Sequence, residues 1–271
     1  MGAIKRGAGG QYYNPLTGEK APGVTGVIDN LPKPFLQYWR GKVVAEFAAN
    51  NVGALAQMLL DAHSAADYDK ARKAAVDWLK NAPSRDTGQA ADTGTAVHAL
   101  CEQLARGEEL GFVHPDFKPY VDAFDRFLQK YQPEFEYIED AIWSETYGYA
   151  GTFDAIAVID GERLILDTKT TRSGVHAPVS LQMTAYSKAD YIITADDSPR
   201  KLTDTSDPEL VKTPMPKIDG GAVIHLRPDS SAIVPVDIQD PDIWETFLHL
   251  LTIRRWEQET SKRVLGARIE F

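Results

Sequence analysis

Asp154, Asp167 and Lys169 are the residues whose types and spacing can do chemistry in this chain. They lie in Gly151-Thr-Phe-Asp154 and Leu166-Asp167-Thr168-Lys169, on either side of Asp160-Gly161. An Asp-Gly pair between apolar runs is the preferred centre of a two-residue type I′ hairpin turn. Such a turn sets Ile159 opposite Glu162, so facing residues have numbers adding to 321 and Asp154 faces Asp167. Facing side chains have Cβ atoms roughly 4.5–5.5 Å apart, and two like charges there destabilise a sheet unless a cation lies between them. Lys169, two residues beyond Asp167, points from the same face. Two carboxylates and one ammonium on a single patch make a divalent-metal site with a built-in cation.

An Asp-x-Lys triplet occurs often by chance, and a hairpin face bearing Asp, Asp and Lys is ordinarily just solvated. The flanking residues argue otherwise. Leu164-Ile165-Leu166 is apolar on both alternating sets, which predicts a strand covered on both faces. A buried central strand rarely ends in Asp-Thr-Lys unless the charges are paired or bind a metal.

The elements that must position this patch follow from the rest of the sequence. With 271 residues and 43% hydrophobic content, the chain suits one substantial core, and a single domain over 1–271 is expected. Residues 1–32, rich in Gly and Pro, read as an N-terminal arm or hairpin. A helix begins after Pro34 with the stripe Phe35, Leu36, Trp39, Val43 and Phe47, and two more cover 54–62 and 66–80. Residues 81–92 read as a loop, with Asp92 or Thr93 as N-cap of a helix over 94–106. A helix over 119–131 precedes strands at 141–146, 152–159 and 163–169, then a helix over 179–189. Residues 195–219, rich in Pro, Asp and Thr, read as a surface insertion. A strand pair at 222–226 and 232–236 and a closing helix over 241–263 complete an α/β arrangement: helices around one central mixed sheet, with a helical N-terminal region.

Composition narrows the chemistry. One cysteine, Cys101, excludes an internal disulfide and a four-cysteine zinc or iron–sulfur centre. The apolar windows, such as 54–60, are too short to span a membrane, and Met1-Gly-Ala-Ile-Lys-Arg has no signal-peptide core behind it; a cytoplasmic protein with no membrane partner is expected. A net charge of −10 does not favour nucleic acid, although a basic groove can sit on an acidic protein. Basic residues recur at Lys33, Arg40, Lys42, Lys169, Arg172, Arg254, Arg255, Lys262 and Arg263.

Two helices carry further candidates. After Thr93, Val97, Leu100, Cys101 and Leu104 form a buried stripe, and His98 and Glu102, four apart, share one flank. They make an ordinary helical pair unless that flank abuts the sheet edge where Asp154 and Asp167 converge, in which case His98 is a competent ligand. Gln182 and Tyr186 likewise share a flank of the helix after the hairpin; a surface amide and a half-buried tyrosine would look the same.

Gly94-Thr-Ala-Val-His98, Gly151-Thr-Phe-Asp154, Asp167-Thr-Lys169 and Gln182-x-x-x-Tyr186 follow one another in the order and spacing of a known superfamily. Over about residues 90–190 the chain resembles the RecB-like branch of the PD-(D/E)XK nucleases, which includes phage exonucleases and the CRISPR-associated iron–sulfur exonucleases. Pro22-Gly-Val-Thr25 and Lys33-Pro-Phe-Leu-Gln-Tyr-Trp39 are also similar to small phage-encoded members. The resemblance implies a restriction-endonuclease-like core in which His98, Asp154 and Asp167, with the Thr168 carbonyl, bind Mg²⁺ or Mn²⁺. Lys169 would position or activate the attacking water. Gln182, Tyr186 and Arg172 would contact the DNA backbone, with Glu102 as an accessory residue. Asp167 stands where Glu is frequent, and the cysteines that hold an iron–sulfur cluster in some relatives are missing, so no such cluster is expected.

The implied activity is a metal-dependent DNA exonuclease, phage-encoded and acting in recombination or genome processing, with a recombination annealing protein as a further partner. A structure-specific endonuclease, a catalytically silent DNA-end-binding module on the same fold and an unrelated metal-binding hydrolase are the alternatives. The intact carboxylate pair argues against the silent module, and the last would need further His or Asp ligands that the sequence does not show.

Overall fold

The computed structural model describes residues 7, 10–60, 64–195 and 210–270. Two compact units are present where one domain is expected: residues 1–31 with 96–271, and residues 32–95.

The larger unit is built around the predicted hairpin. Strand β6 (Ala155–Ile159) pairs antiparallel with β7 (Glu162–Lys169), with Ile159 opposite Glu162 and Ala155 opposite Leu166. Asp160 and Gly161 between them have φ of 51° and 84°. Two successive positive φ values mark the type I′ turn, whose twist matches that of the strands it joins. The predicted register therefore holds along the paired residues, down to Ala155 opposite Leu166; Asp154 lies just beyond the last pair.

β7 is central in a five-stranded mixed sheet of order β11-β10-β7-β6-β3, with β3 at Glu134–Ile138, β10 at Gly220–His225 and β11 at Ala232–Val236. β10 runs parallel to β7 and the other neighbours pair antiparallel. Both faces of β7 are covered, as the apolar run predicts. Ile165 packs in a core with Val24 and Ile28 of α1 (Val24–Ile28), Met183 of α7 (Pro178–Ser187) and Phe247 of α8 (Pro241–Gln258). Leu166 packs in a second core with Val97 and Cys101 of α5 (Ala82–Ala105) and Phe124 of α6 (Lys118–Tyr131). The protein is thus an α/β fold with a mixed β-sheet between helical layers.

A second, antiparallel sheet of order β5-β4-β8-β9 corrects the expectation of one sheet. Its strands are β4 (Ala141–Ser144), β5 (Tyr149–Thr152), β8 (Tyr191–Ala195) and β9 (Leu210–Pro214). The strand predicted over 152–159 breaks at Phe153 and Asp154, so β5 and β6 belong to different sheets. Part of the predicted insertion is β9, paired with β8, while residues 196–209 lie outside the described residues. β1 (Gln11–Tyr13) and β2 (Lys20–Pro22) form a hairpin in the N-terminal arm.

The smaller unit is helical: α2 (Pro34–Asn50), α3 (Val52–Leu60), α4 (Ala65–Lys80) and the first part of α5. Phe47 and Trp78 meet edge to face at 4.7 Å, and the Arg85 guanidinium lies 4.7 Å from the Phe47 ring. The loop predicted over 81–92 is helix, and Asp92 and Thr93 lie inside α5 rather than at its cap. Among the described residues no single helix is long and apolar enough to cross a membrane; α2 and α3, bent by 74°, satisfy length and composition only as a pair.

Candidate metal centre

The start of β6 and the end of β7 meet at one end of the mixed sheet, and the candidate residues gather there. Alternation along β7 directs Asp167 and Lys169 to the face of Ile165, and Thr168 to the face of Leu166, where α5 lies. His98 sits one residue after Val97, which is fully buried against that face, so the core contact of α5 brings its imidazole to the strand end.

The geometry is specific. Thr168 donates its backbone N–H to Asp154 Oδ2 at 2.7 Å. His98 Nε2 lies 2.6 Å from the Thr168 carbonyl oxygen, and its Nδ1 lies 3.4 Å from Asp154 Oδ2. A carbonyl can only accept, so Nε2 carries the hydrogen. In a neutral ring Nδ1 then presents a lone pair to a carboxylate oxygen, and two acceptors facing each other repel. A proton on Nδ1 or a cation between the two relieves this.

Glu139 completes the cluster, and sequence reasoning missed it. His98, Glu139 and Asp154 each bring a ligand atom within 4.8 Å of the others. Donors around one octahedral ion at about 2.1 Å stand about 3–4 Å apart, so small rotations suffice for the three to share a cation. Glu139 follows β3, has φ of 56°, and donates its backbone N–H to the Asp154 carbonyl at 2.8 Å. Burial first, then the charges of Asp154 and Glu102, push its carboxyl up to about 7. Such a group takes up a cation more readily than it stands ionised alone.

Asp167 is placed differently from the expectation of a third ligand. It is 3% exposed, and its two oxygens lie 2.8 and 2.6 Å from Lys169 Nζ. The shorter approach is poorly directed, so Oδ2 stays buried without a hydrogen bond although an ammonium is adjacent. Burial, then the Asp154 charge, raise this carboxyl to about 6, with Lys169 pulling it back down. The structure thus joins His98, Glu139 and Asp154 in one cluster and holds Asp167 and Lys169 as a pair beside it.

The remaining candidates divide. Gln182 donates from Nε2 to the Tyr186 hydroxyl at 3.0 Å, in α7 on the Asp167 face. Tyr186 is buried, which corrects its expected contact with a DNA backbone. Its ring lies where a Cβ on Gly151 would stand, 2.6 Å from Cε1, so the glycine of Gly151-Thr-Phe-Asp154 makes room for a buried prop. Arg172 is exposed, and Arg227 donates to its carbonyl at 2.9 Å, so two basic residues adjoin the Lys169 end of the sheet. Glu102 is engaged by Arg106 at 3.1 Å, and Arg106 also donates to the Ile138 carbonyl. Cys101, buried behind the cluster, has its thiol raised to about 12 by burial and then by Asp154, which makes it inert as a nucleophile.

No family model matches the chain, and no curated protein matches it. Among solved structures, the crystal structure of SSO0001 is similar over 52% of this chain and 58% of that chain, at 14% identity and a TM-score of 0.28. This chain therefore spans less than two thirds of that protein, and a likeness at that score carries no argument about either.

Proposed function

We propose that the protein is a divalent-metal-dependent DNA nuclease. The observation that carries this reading is the convergence of His98, Glu139 and Asp154, with ligand atoms within 4.8 Å of one another, next to the Asp167–Lys169 pair. His98, Glu139 and Asp154 would hold Mg²⁺ or Mn²⁺; oxygen donors suit both, and the imidazole inclines the set towards Mn²⁺. When bound, the ion neutralises phosphate charge and supplies a water of lowered pKa.

The chain's own groups do the rest. Lys169 holds an ammonium where negative charge grows during phosphodiester attack, and Asp167 fixes its position. The Thr168 peptide orients both Asp154 and His98, as supporting hydrogen bonds do around metal ligands. Charge also directs the approach of a polyanion. A cleft of about 970 Å³ along α5 and β3 is lined by Glu102, Glu108, Glu136, Glu139 and Asp140 against the single cation Arg106, a net acidic lining that disfavours phosphates. Lys169, Arg172 and Arg227 mark the opposite approach, so DNA enters from the Lys169 side.

Linear duplex and single strands labelled at the 5′ or 3′ end, with circular DNA as control, test the reading in Mg²⁺, Mn²⁺ or EDTA. Cleavage with metal and none in EDTA is expected. Mononucleotide release from linear DNA alone would make the activity exonucleolytic, and cleaved circles would make it endonucleolytic. Intact DNA in every metal would overturn it.

A further inference from the structure

We propose that a cavity beside Lys169 receives an unpaired nucleobase of the nucleotide that carries the attacked phosphate; this rests on the nuclease reading above. The cavity is about 190 Å³, and its lining includes Thr25, Ile28, Lys169, Val175, Val179 and Gln182. Drug-sized ligands need at least about 300 Å³, so this space admits one flat ring system and little more.

Its chemistry matches a base. Ile28 and Val179 are buried in the core on that face of the sheet, with Val175 packed against them, which gives apolar walls. Lys169 has its ammonium on Asp167, so it offers the cavity its methylene stem. Gln182 spends one amide hydrogen on Tyr186 and retains an amide oxygen and a second N–H for recognition. Thr25 places a hydroxyl at the exposed rim. A nucleobase has apolar faces and a polar edge, and the lining joins these apolar walls to polar groups, with the exposed Asp29 and His176 alongside Thr25 and Gln182.

Position gives the cavity its role. Lys169 lines it and pairs with Asp167 beside the metal cluster, so whatever occupies it is one group away from the reacting phosphate. The wall is built in advance: Thr171 Oγ1 donates to the Gly174 carbonyl at 2.7 Å, and Gly174 turns the loop with φ of 96°. A base stacked in a duplex cannot enter, so the nucleotide there is unpaired, at an end or in a single strand.

Single-stranded oligonucleotides with one abasic residue walked along the chain provide the test. Cleavage is followed in Mn²⁺, and binding is followed by fluorescence anisotropy in Ca²⁺, so the result does not depend on turnover. The abasic residue at the cut should weaken both by on the order of tenfold, as burial of one ring face implies, and at distant positions it should do little. Val175→Trp, which fills the cavity, should bring intact DNA down to the abasic level with an unchanged melting temperature. Val175→Leu, which only narrows it, should retain part of the discrimination. Equal handling of abasic and intact strands by the wild-type protein, or full discrimination in folded Val175→Trp, would overturn the proposal. Absence of cleavage with discrimination intact in Ca²⁺ would overturn the nuclease reading and leave the cavity standing.

Discussion

Asp154 Oδ2 accepts the backbone N–H of Thr168 at 2.7 Å, across the mouth of the β6–β7 hairpin. The same peptide segment meets His98 Nε2 through the Thr168 carbonyl at 2.6 Å. Two side chains from separate elements are therefore oriented by one residue of a central strand, which costs no side-chain entropy at Thr168. A rigid support of this kind favours ligand geometry over mere proximity.

Metal affinity should follow from that arrangement. In calorimetric titration with Mn²⁺, Asp154→Ala should lose binding, because it removes the carboxylate that His98 and Glu139 both approach. Glu139→Gln, which removes the charge of one of the three donors, should bind Mn²⁺ more weakly than wild type. Mn²⁺ affinity of Asp154→Ala equal to wild type would show that the cluster holds no ion.

The raised carboxyls set a pH dependence whose sign is fixed. Asp167 at about 6 and Glu139 at about 7 stand above the roughly 3.9 and 4.3 of unfolded chains. The folded metal-free protein binds more protons than the unfolded one in that window. The stability these groups contribute is complete below about pH 4 and is lost as pH rises through 7. Mn²⁺ displaces those protons, so the rise in melting temperature on adding Mn²⁺ should grow from pH 5 to 8. Glu139→Gln should melt higher than wild type in EDTA at pH 8 and respond less to Mn²⁺. A Mn²⁺ response that is flat across this range would contradict the raised carboxyls.

Gly151 supports the site from behind. An alanine Cβ would stand 2.6 Å from Tyr186 Cε1 and 3.4 Å from Val24 Cγ2. Tyr186 is buried and cannot swing into solvent. Gly151→Ala should therefore cost about 1–3 kcal/mol by overpacking and displace the Gln182–Tyr186 pair. Urea denaturation gives the first effect. A normal midpoint would mean that the tyrosine yields without strain.

How much of this was legible follows from which interactions are local. Asp160-Gly161 specifies its own backbone turn, so the register of β6 on β7, and through it the approach of Asp154 to the end of β7, can be counted along the chain. Glu139 has no such handle. It reaches the cluster through β3 pairing with β6, in a register shifted between Phe135 and Tyr137, and through a positive-φ residue that no spacing announces. The helix over 82–105 was hidden for the opposite reason. Ser84, Asp86, Gly88, Asp92, Thr93 and Gly94 have the composition of a loop, and each interior glycine costs roughly 1 kcal/mol relative to alanine. Packing at either end, Arg85 on Phe47 and Val97 with Cys101 in the core, outweighs those local preferences.

Lys169→Ala isolates the chemical step. The wild-type ammonium lies 2.6 Å from Asp167 Oδ2, so its removal leaves a buried carboxylate without its cation. Asp167 then protonates more readily, and the melting temperature need not fall far. Cleavage should drop on the order of 10²–10³-fold, the usual loss for a group that stabilises transition-state charge. Duplex affinity in Ca²⁺ should change little if, as proposed, Arg172, Arg227 and the metal cluster hold the ground state and Lys169 acts on the transition state. Lys169→Arg keeps the charge but not the compact geometry of an ammonium, and should recover only part of the rate. A Lys169→Ala protein that cleaves at the wild-type rate would reduce Asp167-Thr-Lys169 to a strand end. Loss of binding together with cleavage would make Lys169 a phosphate anchor and remove its part in activating water.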